Sequence, residues 1–337
     1  MQTMGQGIDM KKKVLVTGAT GFTGGYLTEE LVNRGYEVRA LSLAHQNVDK
    51  LRQLGVEVVY GDLTRKETLV PAVEDIEIVF HIAAIFREQN VPKQYFFDVN
   101  VGGTKNLLEA SLEANVRRFV HCSTVGVQGE IKHPPAKETD PYNPGDIYQR
   151  SKVEGEKLAL KFFKENAIEG VVFRPVGIYG PGDLRFLKIF KWVNSGKFKM
   201  IGQGDVFYHL TFVKDLVNGI ILCGEKDEAI GEIFTLGGNE YLKLNEFVKL
   251  LASILGVPEP TTRVPVWPVW FGGLLCEIVC YPFRINPPIY RRRVDFFIKD
   301  RAFDISKAKR LLGYNPKVDL VTGLKMTADW YRQENLL

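Results

Sequence analysis

Short β-branched runs alternate with helically spaced apolar positions along the first half of the chain. Residues 14–17 form a strand-like run closed by glycines, and over 26–34 the apolar Leu27, Leu31 and Val32 fall at helical spacing. The pattern repeats. Strands are predicted at 37–41, 56–60 and 78–81, with a helix at 67–73 before the last of these. A helix at 103–114, a strand at 118–122, a long helix at 148–166 and a strand at 170–174 follow. Strands that alternate with helices lie parallel and are joined by right-handed crossovers, so the expected fold class is α/β with a doubly wound parallel sheet. Beyond Pro175 the regularity weakens into glycine- and proline-rich loops, then a helix through Trp192. Residues 211–223 and 232–236 read as a helix and a strand returning to the sheet, and 244–255 and 307–312 as peripheral helices. The predicted organisation is a sheet domain over 11–175, rejoined by 207–237, with a smaller discontinuous substrate lobe over 176–206 and 238–331.

A chain of 337 residues that is 45% hydrophobic can bury one such large unit or two unequal lobes. Its formal charge of +4 is too small to point to a nucleic-acid partner, which needs a dense basic face. Cys122, Cys223, Cys276 and Cys280 sit in apolar surroundings without metal-ligand spacing, so buried reduced thiols are expected and no metal site. The basic start lacks an apolar signal core, Met10 reads as an alternative start after a loose tail, and a cytoplasmic protein is expected. Residues 264–283 form an apolar stretch with Trp267, Trp270, Phe271, Leu274, Leu275, Ile278 and Val279, with Glu277 its only charge, followed by Arg284 and Arg291 to Arg293. Pro265, Pro268, Pro282 and the Gly272, Gly273 pair argue against a transmembrane helix. A bundled helix or pocket wall is the expectation, with peripheral membrane contact through a basic-flanked interfacial foot as the second reading.

Two motifs carry chemistry. Gly18, Ala19, Thr20, Gly21, Phe22, Thr23 and Gly24 stand between the first strand and the first helix, where bare N–H groups and the helix N-terminus can receive a pyrophosphate. Asp62, after the third strand, reads equally as a partner of an adenine amino group or as an N-cap. Tyr148 and Lys152 lie four apart on one helix face, so a phenol and an ammonium converge on one ligand. A nearby ammonium is expected to lower the phenol pKa and make it a usable acid and base near neutrality.

With these residues in place, the chain resembles the extended short-chain dehydrogenases, a superfamily that includes nucleotide-sugar epimerases, 3β-hydroxysteroid dehydrogenases and dihydroflavonol reductases. The resemblance runs from Val14 to about Tyr331 and rests on TGATGFTGG, GDLT, HIAA, DVNVGGTKNLLEA, CSTVGVQG and RPVGIYGPGD. It implies a Rossmann domain in which Gly18, Thr20, Gly21, Phe22, Thr23 and Gly24 hold the cofactor phosphates. Asp62 and Leu63 are then the adenine contact, Ala83 and Ala84 belong to the fourth-strand segment, and Asn100 lies in the structural asparagine region. Pro175 and Val176 meet the nicotinamide carboxamide. Thr124, with Ser123 as its neighbour, binds the substrate oxygen, Tyr148 exchanges its proton, and Lys152 holds the nicotinamide ribose. The second strand ends at Ala40, Leu41, Ser42, Leu43, with neither an acid for a 2'-hydroxyl nor an arginine for a 2'-phosphate, and Arg39 need not face the ligand. NAD is favoured slightly over NADP. The resemblance also implies a homodimer through the helices beginning near Gly103 and Tyr148, to which Leu158, Leu160, Phe162 and Phe163 add apolar surface.

Three functions compete. A dehydrogenase of a lipophilic cyclic alcohol or ketone leads, because epimerases of this superfamily usually carry asparagine where this chain has Gly177. Its pocket is expected to use Trp267, Trp270, Phe271 and Tyr281, whereas a nucleotide-sugar epimerase or dehydratase would gather Arg87, Arg185 or Arg291 around a diphosphate. A non-catalytic NAD(P)-binding regulator comes last, since such proteins usually lose the tyrosine or the lysine.

Overall fold

The computed structural model describes residues 12–86, 91–280 and 291–337. Arg87, Tyr281, Pro282, Arg284 and the tail around Met10 lie outside the described residues, as do the side chains of Arg291, Arg292 and Arg293. The first half runs β1 (Lys13–Thr17), α1 (Phe22–Asn33), β2 (Glu37–Ser42), α2 (Asp49–Gln53), β3 (Glu57–Tyr60), α3 (Val70–Val73), β4 (Ile78–His81) and α4 (Lys93–Phe97). Then come α5 (Thr104–Glu113), β5 (Arg118–Cys122), α6 (Ile147–Glu165), β6 (Glu169–Pro175), β7 (Gly177–Tyr179), α7 (Leu187–Asn194) and β8 (Met200–Ile201). The remainder is β9 (Phe207–Phe212), α8 (Val213–Glu225), β10 (Ile233–Leu236), β11 (Tyr241–Lys243), α9 (Leu244–Leu255), β12 (Arg263–Val264), α10 (Val266–Cys280), α11 (Arg291–Ile298), α12 (Ser306–Leu312) and α13 (Leu320–Gln333).

Seven parallel strands form the main sheet in the order β10-β6-β5-β4-β1-β2-β3. It is the doubly wound α/β sheet that the alternating pattern predicts. The inner strands bury both faces, which is why these segments read as nearly unbroken apolar runs, while the edge strand β3 stays partly exposed. Val14, Val16, Phe80, Val120 and Phe173 point into one core with α1 and α8, while Leu15, Val79 and Phe119 point into the other with α5 and α6. Because β1 lies between β2 and β4, the strand order reverses there and opens a crevice at the carboxyl ends of β1 and β4. A second core, built around Phe190, Phe212, Phe247 and Tyr331, supports the three-stranded sheet β11-β9-β7.

Three expectations need correction. The helix predicted at 67–73 is a 3₁₀ turn, Lys66–Thr68, followed by the single turn α3, because Pro71 cannot donate to an earlier carbonyl. The helix predicted from Thr211 begins at Val213, and the residues before it are β9, whose partners β7 and β11 are too short to carry a periodic signal. Residues 266–280 are helical and pack on α11, yet Gly273 is the sole buried residue of α10, so this helix leaves much of its apolar surface outward instead of being enclosed as expected. Among the described residues, no helix is long and apolar enough to cross a membrane.

Candidate active site

A polar chain locks the crevice at its base. The Thr17 hydroxyl accepts from the amides of Ile82 and Ala83, each at 3.1 Å, and so donates to His81 Nδ1 at 2.9 Å. His81 Nε2 lies 3.1 Å from the Thr104 hydroxyl, which donates to the Asn100 carbonyl at 2.9 Å. Burial drives the imidazole down to about 3, with the Lys152 charge adding to it, so the ring is neutral and one nitrogen can accept while the other donates.

The glycine turn sits on this base. Gly18 has φ +74°, and a Cβ there would stand 2.9 Å from the Ala83 nitrogen; one on Gly24 would collide with the Gly18 carbonyl. Those two glycines are therefore demanded by the protein itself. Gly21 differs, since its Cβ would meet only the Gly18 oxygen, at 3.3 Å, and both Thr20 and Gly21 are exposed. Gly21 begins α1 with no side-chain cap, leaving the first-turn amides of Phe22 and Thr23 to an outside acceptor. A bare turn, uncapped amides and a switch-point crevice together fit a dinucleotide pyrophosphate.

Elsewhere the crevice is framed by protein contacts. Asp62 Oδ1 accepts from the Thr64 amide at 2.9 Å and hydroxyl at 2.8 Å, closing its own turn, and Leu63 is buried with its carbonyl held by Asn106 at 2.8 Å. Ala83 and Ala84 follow β4 directly, the former partly and the latter fully exposed. The Asn100 amide is committed to the Ile85 backbone, at 3.0 and 3.2 Å, and to Ser151 at 2.9 Å, so it ties the end of β4 to α6. Arg39 points away from the crevice, donating to the Pro71, Ala72 and Glu74 carbonyls and pairing with Glu57 at 2.9 Å. Pro175 ends β6, and Val176 packs in a satellite cluster with Val125 and Phe303.

Tyr148 and Lys152 lie on the first two turns of α6, which Asp146 caps through the Gln149 amide at 2.9 Å. Thr124 ends the β5 loop, its hydroxyl accepting from the Gly126 amide at 3.0 Å and lying near enough to Tyr148 to lower the phenol pKa. Strand alternation turns Ser123 the other way, where its hydroxyl donates to buried Glu156. Of the paired hydroxyls, then, Thr124 faces the phenol and Ser123 serves the core. Lys152 Nζ donates to the Cys122 carbonyl at 2.6 Å. The expected lowering of the phenol is not what this arrangement gives. Burial pushes Tyr148 up, with Cys122 and Asp146 adding and the Thr124 hydroxyl opposing, and burial also pushes the Lys152 ammonium down.

Sequence reasoning missed the support behind these groups. Glu156, one turn after Lys152, pairs with Arg174 at 2.5 and 3.1 Å and accepts from Tyr142 at 2.8 Å, all of it buried except part of Tyr142. Periodicity marks 156 as facing inward, which was the available signal. Phe86 was also missed; its ring packs edge-on against Tyr148 with centroids 4.7 Å apart. Trp267 and Phe271 are exposed on α10 and do not wall this site, and Arg185 is held by Asp183 at 2.6 Å and by the Ile178 carbonyl at 2.9 Å.

The profile of the NAD dependent epimerase/dehydratase family matches residues 14–237. The chain is 32% identical to the 3beta-hydroxysteroid-dehydrogenase/decarboxylase isoform 1 of Arabidopsis thaliana, over 94% of this chain and 78% of that one. It is also 32% identical to the decarboxylating sterol-4-alpha-carboxylate 3-dehydrogenase of Mus musculus, over 95% and 91%. Among solved structures, the UDP-glucuronic acid 4-epimerase of Bacillus cereus, in complex with UDP-glucuronic acid and NAD, superposes with a TM-score of 0.76 at 26% identity, covering 96% of this chain and 99% of that one.

Proposed function

This chain belongs to the NAD dependent epimerase/dehydratase family, and from that premise we propose that it oxidises or reduces a lipophilic cyclic alcohol or ketone of the 3β-hydroxysteroid type. Bound NAD supplies the hydride acceptor or donor. The glycine turn holds the cofactor phosphates, Lys152 the nicotinamide ribose, and Pro175 with Val176 the carboxamide. Thr124 orients the substrate oxygen, Tyr148 exchanges its proton, and the buried Glu156 and Arg174 pair keeps the strand end and α6 in register.

Gly177 carries the substrate assignment. A Cβ there would stand 2.8 Å from the Leu210 side chain and 3.1 Å from the His209 carbonyl, so the asparagine that epimerases of this superfamily usually present would have to displace Leu210. Apolar Leu210 fills its place. Phe86 adds an apolar wall beside the phenol, and Arg185, already paired, adds no free cation for a diphosphate. The names of the Arabidopsis and mouse relatives agree with this substrate class. The Bacillus epimerase supports a second reading, a nucleotide-sugar epimerase. A homodimer built on α5 and α6, with partly buried Leu158, Leu160, Phe162 and Phe163 at its margin, and a cytoplasmic location complete the proposal.

A turnover screen with NAD separates the readings. Steroid-like alcohols are expected to reduce NAD at rates well above UDP-sugars. Epimerisation of a UDP-sugar without activity on any sterol would replace the proposal by its alternative.

A further inference from the structure

Helix α10 presents apolar side chains outward along its length. Trp267 is 70% exposed, Phe271 54%, Leu275 59%, Ile278 59% and Val279 61%. The first four recur at i, i+4, i+8 and i+11, which places them on one helix face. A continuous apolar stripe of this extent on the outside of a folded chain marks a contact surface.

The ground beside the stripe is basic. Lys197 and Lys199, in the stretch that runs into β8, are exposed, and no acid occurs between Asp183 and Asp205. β8 pairs with β12 in the register Met200 to Arg263, so Lys199 and exposed Arg263 stand at the entry to α10, where Val266 lies against Gly202. An apolar ridge with a cationic border matches a bilayer surface bearing anionic headgroups. A second copy of the chain is a poorer occupant, because a two-fold contact would set this basic border against itself.

The position of α10 ties the surface to the site. α10 packs on α11, and Lys299, just after α11, reaches within 4.0 Å of where a Cβ on Gly145 would stand. Gly145 immediately precedes the cap of α6, the helix that carries Tyr148.

We propose that α10 and the basic border of Lys197, Lys199 and Arg263 dock on an anionic phospholipid surface, placing the approach to Tyr148 at the bilayer. The docking stands on α10 and its border alone; the delivery of substrate from lipid rests on the lipophilic-substrate reading.

Flotation of the full chain with vesicles tests the docking without any turnover. The chain should float with phosphatidylcholine vesicles containing phosphatidylglycerol, float less with phosphatidylcholine alone, and detach as salt rises from about 0.1 to about 1 M. The double variant Leu275→Asp, Ile278→Asp should lose about tenfold in vesicle partition while binding NAD normally, which certifies its fold. Changing Lys197, Lys199 and Arg263 to Gln should abolish the preference for anionic vesicles. Failure of the wild type to float would overturn the proposal, as would unchanged flotation of the aspartate variant. So would a sedimenting dimer that this variant converts to monomer with no flotation in either form. Flotation without activity on any lipophilic alcohol would uphold docking and sink the substrate reading.

Discussion

Two neighbouring hydroxyls on one strand end have opposite assignments, and replacing each tests them. Tyr148→Phe keeps the ring against Phe86 but removes the exchanging proton, so kcat should fall by about 10² to 10⁴ while NAD affinity barely changes. Turnover at the wild-type rate would remove Tyr148 from the chemistry. Thr124→Ala should lower kcat in the same direction, because its hydroxyl lowers the phenol pKa. Ser123→Ala should do otherwise. It removes one donor from buried Glu156, which keeps Arg174 and Tyr142, so we expect a stability loss of about 1 to 3 kcal/mol with kcat within a few fold. Denaturant melts beside initial rates would show whether the two effects separate in this way.

At the scale of elements, the glycine turn and the first helix make a unit whose three glycines have different reasons. Gly21→Val should leave a folded protein with little affinity for NAD, since its Cβ meets only the Gly18 oxygen, at 3.3 Å, and its branches would stand where a pyrophosphate approaches. Gly24→Ala should instead lower stability, because the Gly18 carbonyl already occupies that space. Normal NAD titration of Gly21→Val would make the turn purely structural. The βα alternation, the turn and the Tyr148, Lys152 pair were legible because each rests on local spacing. Glu156 with Arg174, and Phe86 with Tyr148, were not, because the partners meet only when α6 packs on β6 in the first case and on the segment after β4 in the second. α10 was misread for a related reason: apolar content marks a helix that leaves water without saying whether protein or lipid receives it.

At the scale of the whole molecule, three buried imidazoles set the acid limit. Burial holds His81 to about 3 and His209 to about 4, against an ordinary value of 6.5, and it holds His121 well down too. All three stay neutral in the folded chain, whereas the unfolded chain takes up their protons near 6.5. Their contribution is therefore complete above that pH and is lost as pH falls toward the lower folded values, at about 1.4 kcal/mol per pH unit per histidine. Urea midpoints measured between pH 7 and pH 4.5 should fall steadily, and a flat profile would contradict the burial of these rings. The order of the main sheet has a consequence for synthesis. The edge of β6 is covered by β10, which reaches it only after the chain has passed through β7, α7, β9 and α8. A ribosome that has delivered everything through Pro175 has thus produced six strands with one long edge still bare. During translation of the next stretch that edge is open to any passing strand, so the nascent chain, more than the finished protein, is where a chaperone's grip would matter.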